Sequence, residues 1–336
     1  MCQSKKNGGR RCNGKGQGSH YPAAALRENL VNQGAITEPK TPEQALHMIA
    51  LASEGYTITD EIKQTARSFD VSSLSPQQQW ETWSSLAEAE KPSAGLKLLH
   101  ELGFEENYPA LRDIRGVPQS PFWHPEGSVE KHIQEAGDIA AGIAREQGLS
   151  EEDTHVAVLG AISHDFGKAT HTQVDEETGR ITSYGHDKAG VDKARGFLAQ
   201  IGASDTVIKQ VPPIVGEHMC HIQSPTPKSA VKLERRLQAS GTTLEAWTRV
   251  ADSDIGGRGE ASEPSIAAEW LKKRDEGLEV EQVKPKRSLV NGKFLIGLGY
   301  KPGPHFGDMV QRANEAYSAG EFTDEKSAEA WVRANL

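Results

Sequence analysis

Residues 162–168 read Ile162-Ser163-His164-Asp165-Phe166-Gly167-Lys168. Adjacent His and Asp side chains offer one nitrogen and one oxygen ligand to a divalent cation. Gly167 suits the end of a helix, and Lys168 supplies a point charge fitted to phosphate. Two further polar residues fall on the apolar faces of other predicted helices, His132 and Asp252. A carboxylate or imidazole inside a helical core is costly unless it is paired or bound to metal. Convergence of His132, His164, Asp165 and Asp252 would make an N/O site for Mg²⁺, Mn²⁺, Fe²⁺, Ni²⁺ or Zn²⁺, and spacing alone does not choose among them. Such an ion would activate water and polarise phosphorus. His186 and His218 begin or end helices, where they could hold a second metal, bind phosphate or protonate a leaving oxygen. A lone core His is usually structural, so the weight rests on the ordered series His132, His164-Asp165, His186, His218, Asp252. His221, one turn beyond His218, is the next candidate; His124, His155, His171 and His305 are expected to be exposed or supporting. Lys168 reads equally well as a solvated residue just past a helix end.

These groups need helices to carry them, and the chain supplies helices almost throughout. Thr41-Pro42-Glu43-Gln44 and Ser75-Pro76-Gln77-Gln78 are N-terminal capping signals. Short amphipathic helices follow each, with Leu96, Leu98, Leu99 and Leu102 lining another that Gly103 stops. Pro109, Pro118, Pro121 and Pro125 mark a long ordered loop. Periodicity then predicts helices over 126–147, with His132 on the buried stripe, and from Ser150 to the doublet, with 156–162 apolar nearly all round. A small hairpin is expected within 174–184 and helices over 187–200 and 205–218, the latter broken or kinked at Pro212-Pro213. Helices at 243–254, 264–274, 307–318 and 324–335 complete an all-α chain with no credible sheet. The expected organisation is a basic, mostly mobile tail (1–40), a helical neck and body (41–115), the domain bearing the doublet (116–283) and a helical tail (284–336).

The 336 residues carry a formal net charge of −9, which argues against a large basic nucleic-acid face. Lys5, Lys6, Arg10, Arg11 and Lys15 nonetheless crowd the start, and Lys284-Pro285-Lys286-Arg287 forms a basic hinge. Three Cys make no disulfide framework and point to a reducing compartment; Cys2, Cys12 and His20 lack the spacing of a zinc site. No run approaches the ~20 apolar residues of a membrane span, and no apolar segment follows the basic start. A soluble, cytoplasmic protein without membrane partners is expected.

The order H…HD…H…H…D resembles the HD phosphohydrolase superfamily. Trp123-His124-Pro125-Glu126-Gly127 before His132, the doublet segment, Ser183-Tyr184-Gly185-His186-Asp187, and Ala251-Asp252-Ser253-Asp254 with Gly257-Arg258 are similar to the HD domain of bacterial tRNA nucleotidyltransferases, the CCA-adding enzymes. Lys91-Pro92-Ser93-Ala94-Gly95-Leu96 and Gly116-Val117-Pro118-Gln119 look like that family's body, and Gly299-Tyr300-Lys301-Pro302-Gly303-Pro304 like its tail. The family's catalytic head is not recognisable; Gly8-Gly9-Arg10-Arg11 is only an echo of it, and the neck start at Thr41 lacks the nucleotide-selecting pattern. Nucleotide addition is therefore not expected. The resemblance implies an HD helical bundle flanked by body and tail. It also implies a metal-dependent phosphatase, 2′-nucleotidase or 2′,3′-cyclic phosphodiesterase acting on nucleotides or RNA 3′ ends, tRNA among them. In that reading His132, His164, Asp165 and Asp252 hold metal. Asp165, Lys168, His186 and His218 carry catalysis, and Lys168, His186, His218 and Arg258 bind substrate. The alternatives are an RNA-binding module without hydrolysis and a hydrolase of free or cyclic signalling nucleotides.

Overall fold

The computed structural model describes residues 23–32, 35–259, 265–283 and 289–336. The basic tract at 1–15, Cys2, Cys12, His20 and the Lys284–Arg287 hinge lie outside these residues. The described chain is all-α apart from two two-stranded antiparallel ladders. It divides into two compact units, residues 1–225 with 232–271, and residues 226–231 with 272–336.

The first unit begins with α1 (Ala23–Leu30), α2 (Pro42–Ser53), α3 (Asp60–Ala66), α4 (Pro76–Glu88), α5 (Pro92–Glu101) and the single turn α6 (Pro109–Arg112). The capping signals form where they are written. Thr41 accepts from Gln44 N, and Ser75 with Gln78 closes a full capping box. Residues 23–40, expected to be part of a mobile tail, instead include α1 and the ladder of β1 (Val31–Asn32) with β2 (Ala35–Ile36). Leu26 and Leu30, one turn apart, are both buried, and that stripe outweighs the polar composition of the tract.

The site is carried by the helices that follow, α7 (Val129–Gln147), α8 (Glu151–Ser163), α9 (Lys168–His171), α10 (His186–Gln200), α11 (Asp205–Glu217) and α13 (Leu244–Gly256), the last reached through α12 (Pro227–Ala239), which periodicity did not pick out. Helix α8 is the hub. It is buried from His155 through Ser163 and packs on α7, α11 and α13. A Cβ at Gly160 would stand 2.8 Å from Val250 Cγ2, so glycine sets how closely α8 and α13 approach. Of the break or kink expected at Pro212-Pro213, the break does not occur: α11 is continuous. The prolines remove the donors that would reach the carbonyls of Ile208 and Lys209, but Val207, Val211, Ile214 and Val215 are fully buried and hold the helix in place. The hairpin expected within 174–184 is present as β3 (Gln173–Val174) paired with β4 (Ile181–Thr182).

Phe166, between the doublet and Gly167, anchors the segment. Its ring meets Phe197 edge-on, with centroids 5.4 Å apart, and Phe197 meets Trp83 and Tyr108 of the N-terminal helices. Trp83 Nε1 donates to Tyr108 Oη (3.3 Å), which donates in turn to Gln79 Oε1 (3.0 Å), so this buried aromatic group leaves its polar atoms partnered.

The second unit contains the C-terminal part of α14 (Ala267–Val283), α15 (Gly292–Gly297), α16 (Phe306–Ser318) and α17 (Glu325–Asn335). Its own core is built from Val290, Leu295, Met309, Ala313, Phe322, Ala328 and Val332. Helix α14 begins at Ala267, and Pro264, the start expected for it, lies outside the described residues.

Gly167 is the tightest point of the site's framework. A Cβ there would lie 1.9 Å from the His186 carbonyl oxygen and 2.7 Å from Gly190 N, both backbone atoms that cannot swing aside. Gly167→Ala should destabilise the protein by about 3 kcal/mol, as an overpacked contact does. A fall in the midpoint of chemical denaturation checks this, and an unchanged midpoint contradicts the packing described.

Candidate metal centre

Each polar residue of the site sits at or near a helix end or on a buried helical stripe. His132 comes from the first turn of α7, His164 and Asp165 follow α8, His186 opens α10, and His218 caps α11. All five are buried. Beyond His218 the chain continues as a short 3₁₀ turn, His218–Ile222, which brings His221 in as well.

Four of the histidines share one local device. The Nδ1 atoms of His164, His186, His218 and His221 lie 2.6–2.7 Å from the carbonyl oxygens of Ala161, Ser183, Val215 and His218, in every case three residues earlier. A carbonyl only accepts, so each Nδ1 carries the proton and the neutral ring keeps its Nε2 lone pair for the interior. Those Nε2 atoms converge. His132 Nε2 stands 3.2 Å from His164 Nε2, and His186 Nε2 stands 3.1 Å from His218 Nε2.

Asp165 stands between the two pairs. Its Oδ2 is 3.3 Å from His164 Nε2 and 3.8 Å from His132 Nε2; its Oδ1 is 3.1 Å from His186 Nε2 and 3.7 Å from His218 Nε2. Both oxygens are buried, and among the described residues neither accepts a well-directed hydrogen bond. Burial alone would raise the Asp165 pKa, but Lys168 and His164 outweigh it and hold the carboxyl well below the usual range. Lys168 is therefore not solvated: it is buried, with Nζ 2.7 Å from Asp165 Oδ2 and 2.6 Å from Gln119 Oε1.

Asp252 does not join this group. It accepts from Ser265 Oγ (2.6 Å) and from Ile266 N (2.8 Å), ahead of α14. Asp254, two residues on and so across the helix, is the carboxylate that enters. Its Oδ1 lies 3.1 Å from His132 Nε2 and 3.8 Å from His164 Nε2, and its Oδ2 lies 3.5 Å from His221 Nε2. Burial opposes its ionisation, yet His221 and His132 hold its pKa well below the usual range. The signal was present in the sequence: Asp254 continues the buried series Trp247, Val250, Ala251 at helical spacing, and Asp252 falls off it.

His124, expected to be exposed or supporting, is supporting, and Glu126, given no role in the sequence, joins it. Glu126 Oε1 lies 2.8 Å from His124 Nδ1 and 2.7 Å from His132 Nδ1, bridging the two rings. Burial raises the Glu126 pKa, but the two imidazoles bring it down to about 2. Burial lowers the His132 pKa, and Asp254 and Glu126 reverse this, lifting it to about 9. Burial lowers His218 well below its ordinary value, reinforced by His164 and His186. Burial likewise opposes protonation of His186, but Asp165 leaves its pKa raised. Arg258 Nη2 stands 3.3 Å from His221 Nε2 and 3.4 Å from Asp254 Oδ1.

The donor set fits a divalent cation. Facing lone pairs at 3.1–3.2 Å repel unless a proton or a cation lies between them, and Asp165 offers two buried oxygens without directed donors. His132–His164–Asp165, His164–His218–Asp254 and Asp165–His186–His218 each bring their ligand atoms within 4.8 Å of one another. Second ring nitrogens bound to backbone oxygens are the outer support that metal-ligating histidines ordinarily have. Asp165, His186, His218, His221 and Asp254 line a cleft of about 740 Å³.

The HD domain family matches residues 129–252. The chain carries an HD domain. The match ends at Asp252, two residues short of the carboxylate that joins the HD cluster. Over 281 residues the chain is 24% identical to a multifunctional CCA protein of Xanthomonas oryzae pv. oryzae, covering 81% of this chain and 64% of the relative. It is 25% identical over 244 residues to the A-adding tRNA nucleotidyltransferase of Deinococcus radiodurans (71% and 54%) and 26% identical over 246 residues to the CC-adding tRNA nucleotidyltransferase of Thermus thermophilus (71% and 52%). The chain thus spans between about half and two thirds of the length of these relatives. Among the described residues no helix is long and apolar enough to cross a membrane.

Two outcomes follow. Asp254→Asn should weaken divalent-metal binding more than about tenfold, and Asp252→Asn should leave it unchanged; calorimetric titration reads both, and equal losses would reverse the placement. Below its pKa of about 9, His132 holds a proton that an incoming cation must displace. Affinity should therefore rise at least about tenfold per pH unit from neutrality to about pH 9, with proton release seen by titrating in buffers of different ionisation heat.

Proposed function

We infer that the protein is a metal-dependent phosphohydrolase acting on phosphate mono- or diesters of nucleotides or RNA 3′ ends. The observation carrying this reading is the inward convergence of imidazole Nε2 atoms about Asp165, with Nδ1 of four rings committed to backbone carbonyls. His132, His164, Asp165 and Asp254 would hold one cation. Asp165, His186 and His218 would hold a second, and Asp165 faces both sets with different oxygens. A divalent cation in such a site supplies Lewis acidity toward phosphate oxygens and lowers the pKa of water.

The chain's own residues supply the rest. Lys168, fixed by Asp165 and Gln119, holds a positive charge on the cleft wall where a non-bridging phosphate oxygen would sit. Arg258, steadied by His221 and Asp254, lines the same cleft and adds a planar donor for phosphate. His186 and His218 line the same cleft, and with Nδ1 of each committed to a backbone carbonyl their Nε2 atoms suit ligation. Glu126 orients His132 and His124, and its removal would loosen the first of these ligands.

The hydrolase reading predicts phosphate release from a panel of 2′-, 3′- and 2′,3′-cyclic nucleotides in the presence of one of Mg²⁺, Mn²⁺, Fe²⁺, Ni²⁺ or Zn²⁺. His164→Ala and Asp165→Ala should each lower the rate at least about a thousandfold, the scale on which loss of a central catalytic group acts. Full activity in both variants overturns it.

The relatives favour RNA as the larger substrate, since two of them are tRNA nucleotidyltransferases matched over 71% of this chain. A gel-shift titration with tRNA should then show binding that weakens with added salt. Absence of any shift at low salt would confine the substrate to small nucleotides.

A further inference from the structure

Among the described residues, every Phe, Tyr or Trp ring that is mostly exposed stands at the mouth of the metal cleft: Phe122 (79% exposed), Trp123 (60%) and Tyr184 (77%). Trp123 and Tyr184 line the cleft itself, and Phe122 packs edge-on against Trp123 with centroids 4.6 Å apart. Exposed aromatic surface beside a deep polar site marks a binding surface more often than an accident of folding.

Both rings are held close to the site. Trp123 lies in a turn in which Trp123 N and His124 N donate to Ser120 O, and the next residue, His124, is tied to Glu126. Tyr184 sits between β4 and α10, two residues before His186. Its neighbour Ser183 is fixed by Thr172 Oγ1 on one side (2.8 Å) and by His186 Nδ1 on the other (2.6 Å). Arg180 Nη2 donates to Tyr184 Oη (3.2 Å), which fixes the hydroxyl edge of the ring.

We propose that Trp123 and Tyr184 form a stacking platform for an unpaired nucleobase, so that the cleft selects nucleotides and single-stranded RNA ends over base-free phosphate esters. The proposal rests on the phosphohydrolase reading for where the phosphate lies, but not for its test. Aromatic faces are a common means by which proteins hold unstacked bases, and a face accepts any base. The polar interior provides for the phosphate, and the rim provides an apolar partner of the size a purine or pyrimidine needs. A base paired within a duplex would not present that face, so the platform favours single strands.

The test is binding to the full-length chain without turnover. Adenosine 5′-monophosphate, ribose 5-phosphate and inorganic phosphate are titrated calorimetrically with no metal added. The nucleotide should bind at least tenfold tighter than ribose 5-phosphate. Trp123→Ala and Tyr184→Ala should each lower its affinity about 5- to 150-fold, the range of one lost base–aromatic stack. Inorganic phosphate binding should not move, and Trp123→Phe and Tyr184→Phe should keep most of the affinity. These rings are exposed, so an unchanged thermal midpoint will show that the variants fold. Equal binding of the nucleotide and ribose 5-phosphate, the result expected if the rim instead docks a protein, overturns the proposal, as do alanine variants that bind normally. Failure of the hydrolase reading has a different signature: no phosphate release with any metal while base discrimination persists.

Discussion

A carboxylate with almost no exposed surface stands at the centre of a helical bundle, and the arrangement around it answers that one constraint. Asp165 cannot be ionised in an apolar interior without compensation. Its neighbours are accordingly an ammonium and four imidazoles drawn from four different stretches of chain. Two pairs of imidazole Nε2 atoms face each other across only 3.1–3.2 Å beside Asp165. The bundle is thus organised around a charge balance that a divalent cation would complete.

Much of the framework was legible in the sequence because it depends on short-range rules. Thr41, Ser75 and Ser150 accept at helix N-termini as their sequences signal, and such capping is written in adjacent residues; Ser128, inside the helix expected over 126–147, instead caps it. The doublet, His132, His186 and His218 were legible for the same reason, as polar groups on apolar stripes or at helix ends. What failed was choice between near neighbours. Asp252 and Asp254 are equivalent by composition, and only the phase of the Trp247–Val250–Ala251 stripe separates them. Lys168 was undecided because a residue just past a helix is solvated or buried according to the chain that covers it, here Gln119 from a distant loop. The continuity of α11 through Pro212-Pro213 and the formation of α1 came from burial, which tertiary packing decides.

The aromatic group links the site to the N-terminal helices. Phe166 is fully buried between the metal-facing doublet and Gly167, and its contact with Phe197 continues to Trp83 and Tyr108. A change at Trp83, far from Asp165 in sequence, therefore bears on the backbone that aims the doublet. The N-terminal helices act as part of the site's support, whatever else they bind.

The carbonyl tethers of the four histidines have a thermodynamic meaning beyond tautomer choice. Each ring is oriented by an oxygen only three residues away, so its rotamer is set by its own helix end and needs no partner from elsewhere in the fold. The rotational entropy of those side chains is lost when the helix ends form, not when an ion arrives. Docking the helices then brings together ligands that already point the right way. A cation entering this site meets a preorganised set whose ordering belongs to folding, and its affinity is correspondingly free of that cost.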